Sequence, residues 1–172
     1  MACAITSGRL DYSCMTIVGG LKNIYVAAFD EGNFSSITDG KVTITASTDI
    51  YKFELLNDGN TFDETNETAK DAGTSIFTGT GTFVLKGQDA ESLVALQELA
   101  KTRTQVIVED NMGNMRVAGL EFGANFTVGT VSGGAIGDMS GYNVAFTYTG
   151  TTLAPFILDI TGATEGSTID PS

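Results

Sequence analysis

Strict alternation over residues 74–85 constrains the fold of this chain more than any other feature. One face would carry Ser75, Phe77, Gly79, Gly81, Phe83 and Leu85, and the other Thr74, Ile76, Thr78, Thr80, Thr82 and Val84. A period of two residues indicates a β-strand, because successive side chains point to opposite sides of a sheet. A strand of about twelve residues spans on the order of 40 Å at roughly 3.3 Å per residue. The segment therefore predicts a strand longer than a small domain needs.

Residues 48–87 as a whole predict a long projecting β-hairpin. The first arm, residues 51–55, alternates apolar and charged side chains, and residues 74–85 form the second arm. Residues 57–73, which lie between the arms, hold five acidic side chains and one lysine, with glycine at positions 59 and 73. This composition is typical of a solvated, mobile loop. A two-stranded ribbon leaves an unpaired edge, so we expect the hairpin to lie against a partner.

The rest of the chain also alternates, and it contains one helical pattern. Strands are predicted within residues 23–29, 42–47, 104–109, 115–120, 122–128 and 142–149. A leucine-rich stripe predicts a helix over residues 89–102, with Asp89 as its N-cap and a role as a lid on a sheet. Residues 161–172 are small, polar and acidic, which predicts a flexible tail. Seven or more strands with one helix indicate a single mainly β domain over residues 1–172, an antiparallel sandwich or barrel.

Composition disfavours several classes of function. The net charge of −12 opposes nucleic-acid readout, which depends on lysine and arginine at phosphates. The chain has no histidine, the commonest general base and a frequent metal ligand, and neither a calcium-loop nor a phosphate-loop spacing occurs. We therefore expect no enzymatic activity, no cofactor and no metal site. Cys3 and Cys14 allow a disulfide or two free thiols, and we favour free thiols.

The N-terminal sequence MACAITSGRL lacks the apolar run of a secretory signal. No segment approaches eighteen continuous apolar residues, the length that a membrane-spanning helix needs. These features predict a soluble protein that is made in a cytoplasm and does not enter a membrane.

The order of elements resembles that of a known structural family. The opening MACAITSGRLDYSCMTIVGGLKNIYVAAFD and the later segment VEDNMGNMRVAGLEFGANFTVGTVSGGAIGDMSGYNVAFTYTGTTLAPF are similar to parts of the tail-tube, or major tail, proteins of tailed bacteriophages. The related Hcp-like ring proteins of contractile injection machines share this layout. The resemblance covers most of the chain and implies a structural virion protein without catalytic residues.

That resemblance implies a set of partners and a location. Six subunits would form a ring, and stacked rings would form a tube bound to other tail proteins. DNA would pass through the lumen without specific binding. The protein would be assembled in the host cytoplasm and would belong to the tail of the virion. The candidates for inter-ring or lumen contacts are the acidic residues of the hairpin, Glu54, Asp58, Asp63, Glu64, Glu67 and Asp71.

Two other functions remain open at this stage. The chain could be a different virion component, such as a connector, a baseplate protein or a capsid-decorating protein. It could also be a small-molecule or carbohydrate-binding β-barrel, which would need an apolar cavity with convergent polar groups.

Overall fold

The computed structural model describes residues 7–11, 16–56 and 59–166. It is mainly β, with 48% strand, 6% helix, a single helix and a curled sheet that forms a half-barrel. The predicted fold class is therefore confirmed. The elements in chain order are β1 Leu21–Ala28, β2 Lys41–Val42, β3 Asp49–Glu54, β4 Thr61–Ala69, β5 Thr74–Lys86, α1 Ala90–Leu99, β6 Thr104–Asp110, β7 Met115–Ala118, β8 Ala124–Val131, β9 Gly141–Gly150, β10 Phe156–Ile157 and β11 Thr164–Glu165.

The main path of the sheet runs β11-β3-β1-β6-β8-β9-β5-β4, and β7, β10 and β2 continue from β6 as a branch. Pairing is antiparallel except where β10 meets β2 and β11 meets β3. Strand β6 pairs with β1 and β7 over most of its length but touches β8 through one bridge, Thr104 to Ala124. The sheet divides at this bridge, and β8 and β9 curl away from β7.

Two apolar cores lie on opposite sides of β6. Val106 and Val108 join the larger core inside the curl, and Ile107 joins the smaller core under the β7 branch. Successive residues of a strand point to opposite faces, so a strand between two cores is buried on both sides. Strand β9 contributes its even-numbered residues, Tyr142, Val144, Phe146 and Tyr148, to the larger core. This is the face that the sequence pattern predicted.

The long hairpin is present, but its first arm differs from the prediction. Strand β4 pairs with β5 from Thr61–Thr82 to Ala69–Thr74, and residues 70–73 form the turn. The acidic segment predicted as a loop is thus a strand over residues 61–69, whereas residues 51–54 pair with β1. The prediction failed because three of the four inward residues of β4 are polar, Glu64 among them, and only Phe62 is apolar on that face. These polar side chains hide the alternation of apolar and polar residues that marks a strand.

The hairpin also projects less far than predicted. Strand β9 pairs with β5 from Phe77 to Lys86, so that most of β5 lies inside the sheet. Only residues 67–76 extend beyond β9, and three residues of strand correspond to about 10 Å. The long arm is stabilised mainly by its own domain.

The helix follows its prediction at the N-terminus. The carboxylate of Asp89 accepts the N–H of Ser92 at 2.7 Å, which caps α1. The helix ends at Leu99 instead of residue 102, and Leu96 is its fully buried residue. Leu93 and Val94 are exposed, so α1 covers less of the core than a full lid would.

The C-terminal segment is ordered further than predicted. Strand β11, Thr164–Glu165, pairs with β3 in parallel, and the N–H of Gly166 donates to Ile50 O at 2.8 Å. The prediction of a flexible tail is therefore wrong for residues 161–166. Residues 167–172 lie outside the described residues, as do Cys3 and Cys14, so their predicted states stay predictions.

Candidate functional site, an open threonine-rich sheet

Strands β8, β9, β5 and β4 form, in that order, a four-stranded unit that we call the open sheet. Its inner face packs on the larger core, while its outer face has no layer over it among the described residues. Threonine dominates that outer face, which we call the threonine face. Its members include Thr61, Asp63, Thr65, Glu67, Thr78, Thr80, Thr82, Asn125, Thr127, Asn143, Thr147 and Thr149.

The charge on the threonine face is negative. Asp63 and Glu67 are exposed near the hairpin end, and Lys86 lies at the opposite end of β5. Carboxylates repel phosphate, and hydroxyl groups replace no counterions, so nucleic acid would gain little by binding here. At physiological ionic strength, charge acts over about 8 Å, which limits this repulsion to molecules close to the face. The surface is chemically suited to contact a polyanion without retaining it.

Within the described part of the chain, β4 has no strand partner on its outer side, and β8 has none beyond its single bridge to β6 at Ala124. The N–H of Val84 points toward the β4 side, where it donates to Asn60 Oδ1 at 3.2 Å. Ladder bonds alternate along antiparallel strands, so the even residues of β4 turn their backbone groups outward. The same alternation continues across β9. The backbone groups of Phe126, Val128 and Thr130 in β8 therefore point away from β9. Unpaired edges of this length favour pairing with another chain.

Glycine in β5 allows side chains from its two neighbouring strands to meet. A Cβ at Gly79 would lie closer than 3.0 Å to the ring of Tyr148, and a Cβ at Gly81 would do the same to Phe146. Phe62 of β4 stacks on both rings, with centroids 6.0 Å from Phe146 and 6.3 Å from Tyr148. Strand β4 therefore packs on the core across β5, which holds the edge strand in place.

Glu64 lies on the same inward face of β4 and forms a buried polar cluster. Its carboxylate accepts hydrogen bonds from the hydroxyl of Tyr148 and from the N–H of Ala154, the latter at 2.7 Å, and pairs with the guanidinium of Arg116. The side chain of Glu64 is only 5% exposed. Burial is the main cause that raises the pKa of the Tyr148 hydroxyl well above its usual value. The hydrogen bond to Glu64 raises this pKa further. Glu64 thus fixes the hairpin to the domain.

The predicted acidic residues separate into different places. Asp63 and Glu67 share the threonine face, and Asp71 lies in the exposed hairpin turn. Glu54 lies on β3, outside the open sheet, and forms an exposed ion pair with Lys52 at 2.7 Å.

Two of the predicted acidic residues remain, Glu64, which the structure places, and Asp58, which it does not describe. The carboxylate of Glu64 is buried and bonds to groups of its own domain, so Glu64 presents no exposed charge. Asp58 lies outside the described residues. The prediction named no individual threonine, although the alternation of threonine in β5 and β9 was the available signal.

A second buried carboxylate has a structural role. Glu109 accepts hydrogen bonds from Asn23 Nδ2 at 2.7 Å and from the Tyr25 hydroxyl at 3.1 Å, and Lys22 Nζ lies 3.7 Å from it. Burial and the adjacent carboxylate of Glu109 raise the pKa of Tyr25 to about 12. Each polar atom has a partner, so these contacts link β1 to β6 and leave no group directed at a ligand.

Other features of a binding site are weak in the described ranges. No three histidine, cysteine, aspartate or glutamate side chains there are grouped so that they could hold a metal ion. Depressions occur beside Phe34 and Gln105 and on the threonine face beside Val84, and both open broadly to solvent. Neither has the enclosed apolar form of a small-molecule site.

Over the described residues, no helix has the length and apolar character required to cross a membrane.

Comparison of the chain with protein-family models, with curated proteins and with solved structures finds no match.

Proposed function

We propose that this protein is a structural subunit of a bacteriophage tail tube. Copies would join into rings, rings would stack into a tube bound to other tail proteins, and DNA would pass through the lumen into the host. The chain acts in this role by assembly and needs no catalytic group or cofactor. Its place would be the virion tail after assembly in the host cytoplasm.

The observation that carries this proposal is the open sheet, in which the outer side of β4 is unpaired and β8 is unpaired beyond its bridge at Ala124. Strand β4 ends the sheet on one side, and the outward groups of β8 lie on the other side. These two edges differ in sequence, so pairing between copies would be head-to-tail, and head-to-tail contacts close into rings when the rotation is suitable. Ring closure would satisfy backbone groups that otherwise favour uncontrolled association.

The chemistry of the threonine face supports the same function. We place the threonine face toward the lumen, because the opposite face is already occupied by the larger core. A hydroxyl-rich lining with the carboxylates of Asp63 and Glu67 would bind phosphate poorly, and DNA could move along it. The sequence resemblance to tail-tube proteins points to the same role.

The test is whether the purified protein forms rings and tubes through these two edges. Asn66→Pro and Thr130→Pro each remove an outward N–H, from β4 and β8 respectively, without removing a ladder bond. We expect rings or tubes of the parent protein in electron micrographs and sedimentation of both variants as folded monomers. Circular dichroism and urea unfolding check the fold, and Thr127→Ser, which keeps both edges, is the matched control.

Each outcome bears on a separate part of the proposal. A parent protein that stays monomeric at high concentration, alone and with other tail proteins, would contradict the tube function itself. Normal rings from both proline variants would contradict closure through β4 and β8. If Thr130→Pro fails to fold, Thr130→Lys replaces it, since an exposed lysine blocks the β8 edge without removing a backbone donor.

A further inference from the structure

The two ends of the open sheet differ in their apolar surfaces. At one end, residues 132–140 connect β8 to β9, where Lys86 pairs with Gly141. At the other end lie the hairpin turn, the start of β8 and the end of β9. Strand β9 has ten residues, so these ends are separated by about 30 Å. A contact at one end is therefore independent of the other end of the same molecule.

The loop 132–140 presents one large, fully exposed apolar side chain at its surface. Ile136 is fully exposed, whereas the backbone around it has a defined conformation. The carboxylate of Asp138 accepts the N–H groups of Gly134 and Ala135 at 2.8 Å each, and the N–H of Asp138 donates to Ala135 O at 3.0 Å. Gly133 has φ +67, a conformation that favours glycine at this turn. Ile136 is thus held outward by a preorganised loop.

The opposite end carries exposed apolar side chains on two adjacent turns. Phe122 precedes β8 and is 59% exposed, and Leu153 follows β9 and is 49% exposed. Glu121 joins the turns, because its carboxylate accepts the N–H of Thr151 at 2.9 Å and the hydroxyl of Thr151 at 2.5 Å. The result is a fixed apolar rim on the end of the sheet that faces away from Ile136.

We infer that Ile136 of one copy packs between Phe122 and Leu153 of a second copy in the neighbouring ring. This inference rests on the proposed tube, in which one end of each open sheet meets the opposite end of the next. The partner is a second copy, since the two surfaces lie at opposite ends of β8 and β9. When copies stack head to tail, one surface of each copy therefore meets the other surface of the next copy. Burial of an exposed isoleucine against a phenylalanine and a leucine is favourable, and a preorganised loop loses little freedom on docking.

The experiment exchanges the apolar contact for a charge pair. Ile136→Lys and Leu153→Asp would each place a charge in an apolar contact, and we expect rings that no longer stack. The double variant Ile136→Lys/Leu153→Asp places opposite charges at the contact, and we expect it to recover tubes. Leu158→Ser is the matched control because Leu158 is exposed but follows β10, outside the open sheet. Unfolding midpoints of all variants should equal that of the parent protein.

The outcomes separate this contact from the function on which it rests. Loss of stacking in both single variants with recovery in the double variant supports the contact. Normal tubes from Ile136→Lys, or absence of recovery in the double variant, would overturn the contact and leave the tube function in place. A parent protein without rings would contradict the proposed function instead.

Discussion

Gly81→Ala offers a sharp test of how the hairpin is attached to the domain. Gly81 lies in β5 between Phe62 of β4 and Phe146 of β9. A Cβ at this position would lie 2.2, 2.3 and 3.0 Å from three carbons of the Phe146 ring. Carbon atoms pack best at about 3.5–4.0 Å. The added methyl group therefore requires the ring to move.

The Phe146 ring has little space in which to move. It is fully buried, stacks on Phe62 at 6.0 Å and contacts Phe126 with centroids 5.5 Å apart. Overpacking of a filled core costs about 1–3 kcal/mol, and this overlap is large. We therefore expect Gly81→Ala to lower the free energy of unfolding by about 3 kcal/mol. For a chain of this length the midpoint temperature would fall by roughly 6–12 °C.

Gly129→Ala is a matched control in the same sheet. A Cβ at Gly129 would meet only Asn143 O at 3.9 Å, an ordinary contact. Alanine in a strand costs less conformational entropy than glycine, so this control should be neutral or more stable by about 0.5–1 kcal/mol. The assay is urea unfolding followed by far-ultraviolet circular dichroism, at a concentration where sedimentation shows monomers.

A double-mutant cycle identifies the cause of the loss. In a Phe146→Ala background the ring is absent, and Gly81→Ala should then cost close to nothing. A loss below 1 kcal/mol for Gly81→Ala in the parent protein would refute the proposed packing across β5. An equal loss for Gly129→Ala would refute it as well, because the effect would then belong to glycine in strands generally.

Two further predictions concern the buried carboxylates. Glu64→Gln leaves Arg116 without its charged partner and should lower the free energy of unfolding by about 2 kcal/mol in urea, whereas Glu54→Gln in the exposed pair should produce no measurable change. Tyr25→Phe removes a hydroxyl whose pKa is raised to about 12, so its contribution to stability is complete below pH 10 and is lost as the pH rises from about 10 to about 12. The destabilisation by Tyr25→Phe in urea at pH 8 should therefore shrink across that window.

Much of the fold could be predicted from local pattern, but the partner of each strand could not. Alternation placed β5 and β9 correctly because most of their inward residues are apolar or glycine and most of their outward residues are polar. Strand β4 was misread as a loop because one of its inward residues is a glutamate. The burial of Glu64 depends on Tyr148, Ala154 and Arg116, which lie 52 to 90 residues away in sequence. No local window contains that information.

The threonine face connects the folding of the sheet with the proposed assembly. Threonine is favoured in strands because its branched side chain suits a pleated surface, and its hydroxyl keeps that surface polar without charge. In β5 the inward glycines leave room for the rings of Phe146 and Tyr148, while the threonines of β5 lie on the outer face. The residues that fix β4 to the core therefore also hold its outer edge in a strand geometry. An edge held in this geometry would need little reorganisation to pair with another copy, which supports the proposed function in assembly.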